Sequence, residues 1–385
     1  MAGMAGMAGM AGMAGMAGMA GMAGMAGMAG MAGMAGMGGA GSPALADAAL
    51  AQALALNRGE LLAGIDPNAP MLYDPPLAYP KASDLDRLPP GLWEQEARGL
   101  TYQFDLLSDL RFEADPKTAQ TTLVAIALPA RAGATTTRRR VEQPIVTITR
   151  PTQRQFEKQV ALVLSWATVR LERIPEILTQ APGPIAFYAS LLKLQPERHA
   201  RTLELLACAQ QFATFAVMRV KHALACPRPA DYSPLVQPLI ATPGHSTFPS
   251  GHSTQSYCLS RVLRSLRDVK PGSPLAALLE RQAHRIAENR VVAGLHFPID
   301  SAVGSVLGDA LGGYFVNRCG GKGMWLSRSF DAGGYDASQD FAGLPSAARA
   351  GAGQRWSAAR EARSLAPIRS LQWLWQQARA EWVPA

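Results

Sequence analysis

At 385 residues the chain is long enough for one large core with accessory segments. Lysine and arginine number 37 against 29 aspartate and glutamate, a formal net charge of +8 that favours anionic ligands in general. The sequence lacks the long apolar run of about 18 residues that a membrane span needs, and its amino terminus lacks the positive region and compact apolar core of an export signal.

Residues 1–36 are twelve copies of Met-Ala-Gly. A period of three does not fit the helical repeat, and glycine at every third position costs about 1 kcal/mol per glycine in a helix. Residues 1–41 are therefore expected to be disordered, a tandem expansion or an over-long start with the initiator at a later Met. Folding signals begin at Ser42-Pro43, a helix cap followed by proline. Prolines from Pro67 to Pro90 predict an extended arm, and Thr121–Leu128 with Pro144–Thr149 leave room for a small β-hairpin around Gly133 and Arg138-Arg139-Arg140. This accessory segment spans 42–150.

Helical periodicity takes over at Thr152, with Phe156, Val160, Val163, Leu164, Ala167 and Leu171 on one face and a stop expected near Pro175. Further helices are predicted at Ile185–Leu194, from Pro196 to about Ala225, over Ser253–Arg267 and Pro274–Val292, and from Pro298 to about Arg318. The second of these offers Leu203, Leu206, Phe212 and Phe215 to the core. The last repeats Gly304, Gly308 and Gly312 at intervals of four, which lets another helix approach closely. Residues 151–320 thus form a helical core. Beyond Cys319-Gly320-Gly321 a Gly/Ala/Ser-rich surface excursion is expected, then a terminal amphipathic helix near Pro367–Trp382 within the 321–385 segment. Cys208, Cys226, Cys258 and Cys319 lie far apart and read as buried reduced thiols, with one pair able to form a disulfide if the protein is exported.

Between Lys221 and Asp300 the sequence gathers three cations, two histidines, a carboxylate and a Ser-Gly pair. Phosphate monoesters repel nucleophiles with their own charge, so cleavage needs cations aimed at the phosphoryl oxygens. Lys221, Arg228 and Arg290 meet that need without the carboxylate cluster of a magnesium or zinc site. Pro249-Ser250-Gly251-His252 opens a helix, where unpaired N–H groups favour an anion. His296 and Asp300 have the spacing of a nucleophile and the carboxylate that orients it, and a raised His252 pKa beside a carboxylate or bound anion would suit the protonation of a leaving oxygen. His199, His222, His245 and His284 lack such partners and read as structural, with His245 the first candidate for an exception because it lies just upstream of Ser250.

These blocks resemble the signature of the type 2 phosphatidic acid phosphatase and vanadium haloperoxidase superfamily: Lys-x6-Arg-Pro, Pro-Ser-Gly-His and Ser-Arg-x5-His-x3-Asp. Only the serine of the third block differs, being Asn289, and the resemblance covers roughly residues 150–320. It implies an all-α helical bundle with the site at one end, carrying the Pro-rich arm and the small hairpin as additions. It also implies a phosphohistidine on His296, orientation by Asp300, general acid catalysis by His252, and phosphate or vanadate binding by Lys221, Arg228, Ser250, Gly251 and Arg290. The first expectation is a soluble, metal-independent, acid phosphatase-like hydrolase of small phosphate monoesters, cytoplasmic or exported, without a cofactor and with no nucleic-acid or membrane-spanning partner. The alternatives are a vanadium-dependent haloperoxidase, in which His296 would coordinate the vanadium of bound vanadate, and a non-catalytic anion-binding or scaffold protein. Short links between the blocks favour the phosphatase, whereas Pro243-Gly244-His245 looks like a segment some haloperoxidases carry.

Overall fold

The computed structural model describes residues 48–64, 90–127, 140–321, 325–341, 360–361 and 365–382. The Met-Ala-Gly repeat, the Ser42-Pro43 start, the Pro-rich arm up to residue 89, the turn around Gly133 and the Gly/Ala/Ser-rich stretch from residue 342 lie outside the described residues.

The chain runs through α1 (Ala48–Leu61) and α2 (Gln95–Ser108), then β1 (Leu110–Asp115), β2 (Gln120–Ala127) and β3 (Val141–Thr149). Next come α3 (Gln153–Trp166), α4 (Arg170–Gln180), α5 (Ile185–Leu192), α6 (Ala200–Leu224) and the single turn α7 (Pro229–Tyr232). The core closes with α8 (Gly251–Leu266), α9 (Pro274–Val292) and α10 (Pro298–Arg318), followed by β4 (Leu326–Phe330), β5 (Arg360–Glu361) and α11 (Arg369–Ala380).

The described fold is helix-rich but not all-α. The expected hairpin exists as β2 antiparallel to β3, and it belongs to a five-stranded sheet in the order β1-β2-β3-β4-β5. Strand β4 pairs parallel to β3 and comes from the segment expected to run over the surface. That segment instead sends Trp325 fully inside, edge-on to Tyr314 at 5.8 Å, and also buries Phe330, Ala332 and Tyr335. Leu-Ser-Arg-Ser-Phe carries too few β-branched residues to read as a strand; its pairing comes from an edge that β3 presents far away in sequence.

Local signals account for most helix ends. Thr152 and Gln155 form a reciprocal capping box at the start of α3. Ser250 caps α8, Ser273 caps α9 ahead of Pro274, and Pro298 opens α10 at its first position. The stop expected at Pro175 is not observed. A 3-10 turn at Ala167–Val169 divides the run instead, and Pro175 lies inside α4. Proline removes one backbone donor there, a loss α4 tolerates while packed against α9. Phe215, expected in the core, is 41 % exposed.

Helix α10 is buried along its whole length. Around it stand α8, α9, α6 and strands β3 and β4. Helix α11 docks Leu371, Leu374 and Trp375 on the body, and Glu381 just beyond it accepts hydrogen bonds from the Arg201 and Thr202 amides (2.6 and 2.8 Å) that open α6.

The glycine row of α10 faces α8. A Cβ on Gly304 would lie 2.7 Å from the Ser250 carbonyl oxygen, one on Gly312 would lie 2.9 Å from that of Cys258, and one on Gly308 would be closest to that of Thr254. Contacts that advance together along both helices mean that α8 and α10 run parallel. Their amino termini therefore sit side by side, fastened by the Ser250 amide donating to the Asp300 carbonyl at 2.9 Å. Backbone atoms cannot rotate aside, so Gly308→Ala is expected to destabilise the protein by about 1–3 kcal/mol. Thermal unfolding checks this; an unchanged melting temperature would refute the close-packing account.

A candidate oxyanion pocket at converging helix ends

Helices α8 and α10 contribute their amino termini to one end of the bundle, while α4, α6 and α9 contribute their carboxyl termini. Lys221 lies in the last turn of α6, which ends in the left-handed Ala225 at φ 45°. Its ammonium, 1 % exposed, donates to the carbonyls of Ser246 (2.6 Å) and Thr247 (2.9 Å) and leaves one N–H uncommitted. The Lys221 stem runs beneath Gly251, where a Cβ would stand 4.0 Å from its Cε. The first and second sequence blocks thus meet.

Arg228 joins the first block to the third. Its Nε donates to the His245 carbonyl and its Nη1 to the Leu295 carbonyl, both at 2.9 Å. Nη2 lies 3.2 Å from His245 Nδ1 and donates to the Ser246 carbonyl at 3.5 Å, a carbonyl that His245 Nδ1 also approaches at 3.2 Å. Burial, reinforced by the charge of Lys221, pushes His245 down to about 4. All three nitrogens of the Arg228 guanidinium thus meet protein atoms, so the structure makes it a clamp on the loop as well as a source of positive charge.

Arg290 differs. Its Nη2 donates to the Ile177 carbonyl (3.2 Å) and to Gln180 Oε1 (2.9 Å), whereas Nε and Nη1 are buried without partners. Buried polar groups are normally paired, so three orphaned N–H bonds on one cation fit an acceptor supplied by a ligand. Burial lowers both Arg228 and Arg290 to about 10, so both remain charged at neutral pH.

His296 is almost fully buried. Its Nδ1 lies 3.2 Å from Asp300 Oδ2 and 3.1 Å from Thr247 Oγ1. Asp300 Oδ2 also accepts from the Phe297 amide (2.8 Å) and the Thr247 hydroxyl (2.5 Å). Burial first, then the charges of Lys221 and Arg228, hold His296 well below the ordinary histidine range. The ring is thus neutral with its proton on Nδ1, and Nε2 carries the lone pair. Burial raises Asp300 to about 6, against the opposing pull of Thr247, Phe297, Lys221 and Arg228. Burial and the neighbouring Arg228 drive Lys221 downward in turn, an effect Asp300 and then Cys226 counter.

His252, in the first turn of α8, places Nε2 3.1 Å from the Gln180 carbonyl. Among the described residues no carboxylate acts on the ring; the Gln180 and Ala181 backbone groups favour its proton instead. Burial, then the Arg290 charge, lowers it to about 3, so in the free pocket His252 is neutral, donates from Nε2 and keeps its lone pair on Nδ1. Only an arriving anion would reverse that direction.

The structure brings together all eight residues singled out in sequence: Lys221, Arg228, Ser250, Gly251, His252, Arg290, His296 and Asp300. It also reveals Thr247 and Gln180, for which no local signal exists, since their partners lie on other blocks. Asn289 turns away from the histidines and into a polar layer, donating to Glu176 (2.9 Å) and Gln180 (3.1 Å) and accepting from Arg173 (2.9 Å). Of the remaining histidines, His199 packs on Trp382 and His284 stacks on Phe341 at 4.4 Å. All four cysteines are free and buried. Among the described residues, no helix is long and apolar enough to cross a membrane.

No family model matches the chain, and no curated relative does. Among solved structures, it is similar to a transmembrane PAP2 type phosphatidylglycerolphosphate phosphatase from Bacillus subtilis, with 19 % identity over 40 % of this chain and 72 % of that one and a TM-score of 0.24.

Proposed function

We propose that the chain is a metal-independent phosphatase of the type 2 phosphatidic acid phosphatase and vanadium haloperoxidase superfamily, acting on phosphate monoesters through a phosphohistidine. The observation that carries this reading is the state of His296: a buried neutral imidazole whose Nδ1 proton is held by Asp300 and Thr247, leaving Nε2 as the nucleophilic nitrogen. Nε2 attacks phosphorus and the bond to the leaving oxygen breaks. His252, protonated once the anion has entered, delivers its proton to that oxygen. Water then attacks the phosphohistidine, giving a proton back to His252 as the P–N bond breaks and inorganic phosphate leaves. Lys221, Arg228 and Arg290, with the paired amino termini of α8 and α10, stabilise the charge spread over the phosphoryl oxygens.

Purified protein is expected to release phosphate from an aryl phosphate monoester in excess chelator, and orthovanadate, a tetrahedral isostere, should inhibit it competitively. Absence of turnover over a panel of monoesters from pH 4 to pH 8 would overturn the assignment, and peroxide-dependent bromination by vanadate-loaded protein would redirect it to haloperoxidase chemistry.

A further inference from the structure

We propose that Gln180, the last residue of α4, is an additional ligand of the bound oxyanion, donating from Nε2 beside the unpaired Nε and Nη1 of Arg290. The inference rests on the reading of the pocket as an oxyanion site and extends its binding set to an element outside the three sequence blocks. Gln180 is fully buried and touches that set twice: its carbonyl receives His252 Nε2 at 3.1 Å, and its Oε1 receives Arg290 Nη2 at 2.9 Å. Its Nε2 has no partner.

The amide cannot be turned to remove that orphan. Arg173 Nη1 donates to Asn289 Oδ1 at 2.9 Å, and Glu176 Oε2 accepts from Asn289 Nδ2 at 2.9 Å, so two charged groups fix which end of Asn289 is oxygen. Asn289 Nδ2 then donates to Gln180 Oε1 at 3.1 Å alongside Arg290. Two donors converge on one end of the Gln180 amide. Rotation would set N–H against N–H at both, so Nε2 must point away from Asn289 and Arg290 Nη2. Two buried N–H bonds on Gln180 and three on Arg290 lack acceptors in the same neighbourhood, and a tetrahedral dianion supplies acceptors of the required number and charge. Asparagine at position 289 acquires a purpose here, since its two-ended amide relays the orientation set by Arg173 and Glu176 to Gln180.

A double-mutant cycle tests direct donation against mere support of Arg290. Gln180→Met, close in volume and without donors, is made in the wild-type chain and in Arg290→Met, and orthovanadate and inorganic phosphate affinities are measured. Direct donation predicts that Gln180→Met raises the vanadate dissociation constant about tenfold to a hundredfold in both backgrounds. Support alone predicts that the loss disappears once Arg290 is gone, and that result would overturn the proposal. A wild-type chain that binds neither anion would instead refute the pocket itself. Should the variants unfold, selective 15N-glutamine labelling of the intact protein decides: a side-chain amide resonance that moves downfield on saturation with phosphate supports donation, and a full set of unmoved amides refutes it.

Discussion

Replacing His296 with alanine is expected to lower phosphate release by on the order of 10⁴-fold or more, the scale set by removal of a covalent nucleophile, while phosphate affinity changes only a few-fold. In the proposed mechanism the cations do the binding, and Lys221, Arg228 and Arg290 take their positions from bonds to main-chain carbonyls and to Gln180, none of which involves the imidazole. The fold should survive as well. Asp300 Oδ2 keeps the Phe297 amide and the Thr247 hydroxyl as donors when the ring is removed, so the carboxylate is not left bare. Rapid-quench experiments with a labelled monoester should trap an acid-labile, base-stable phosphoprotein in the wild-type chain and none in the variant. Unimpaired turnover by His296→Ala would remove the nucleophile from the mechanism.

The eight candidate residues were legible because they lie at or beside helix ends, and helix ends are written locally. Ser250 before Gly251 and Pro298 before Asp300 mark amino termini, and Pro227 shortly past Lys221 marks where α6 must already have stopped. The glycine interval of α10 was legible as a close approach, although only the structure shows that α8 is the partner and runs parallel. What stayed hidden depends on contacts between distant segments. Thr247 reaches Asp300 across 53 residues, and Gln180 reaches Arg290 across 110, so neither leaves a pattern in its own neighbourhood. Strand β4 is hidden for the same reason, its identity supplied by the open edge of β3. The direction of the His252 pKa in the free pocket has no local signal either, since it depends on what surrounds the ring in space: burial and Arg290 rather than a carboxylate.

Asp300→Asn separates the work of orientation from that of charge. Both the Phe297 amide and the Thr247 hydroxyl donate to Oδ2, so the asparagine oxygen is drawn to that position and its nitrogen to the place of Oδ1, which has no partner. His296 Nδ1–H keeps an oxygen to donate to, and the tautomer with a free Nε2 persists. Only the negative charge that balances the imidazolium of the phosphohistidine is lost. Unit charges about 4 Å apart at an effective dielectric near 20 interact by about 4 kcal/mol, so kcat should fall by on the order of 10³-fold. Stability should move the other way. The carboxyl is raised from 3.8 to about 6, so the folded state holds its proton more tightly than the unfolded chain does. Stability from this group is complete below pH 3.8 and declines as pH rises through about 6, leaving the ionised form at a cost of about 3 kcal/mol at neutral pH. The unpartnered asparagine nitrogen costs the variant a similar amount at every pH, so the diagnostic is the change with pH rather than the absolute difference. In denaturant unfolding, the stability of Asp300→Asn relative to wild type should rise by about 2 kcal/mol between pH 4 and pH 7.5. Over the same interval the acid limb of the wild-type kcat/KM profile, centred near 6, should be missing from the variant. A relative stability that is flat or falling with pH would show that the carboxylate is favoured by its surroundings, and the picture of Asp300 as a buried charge held at a cost for the sake of His296 would fail.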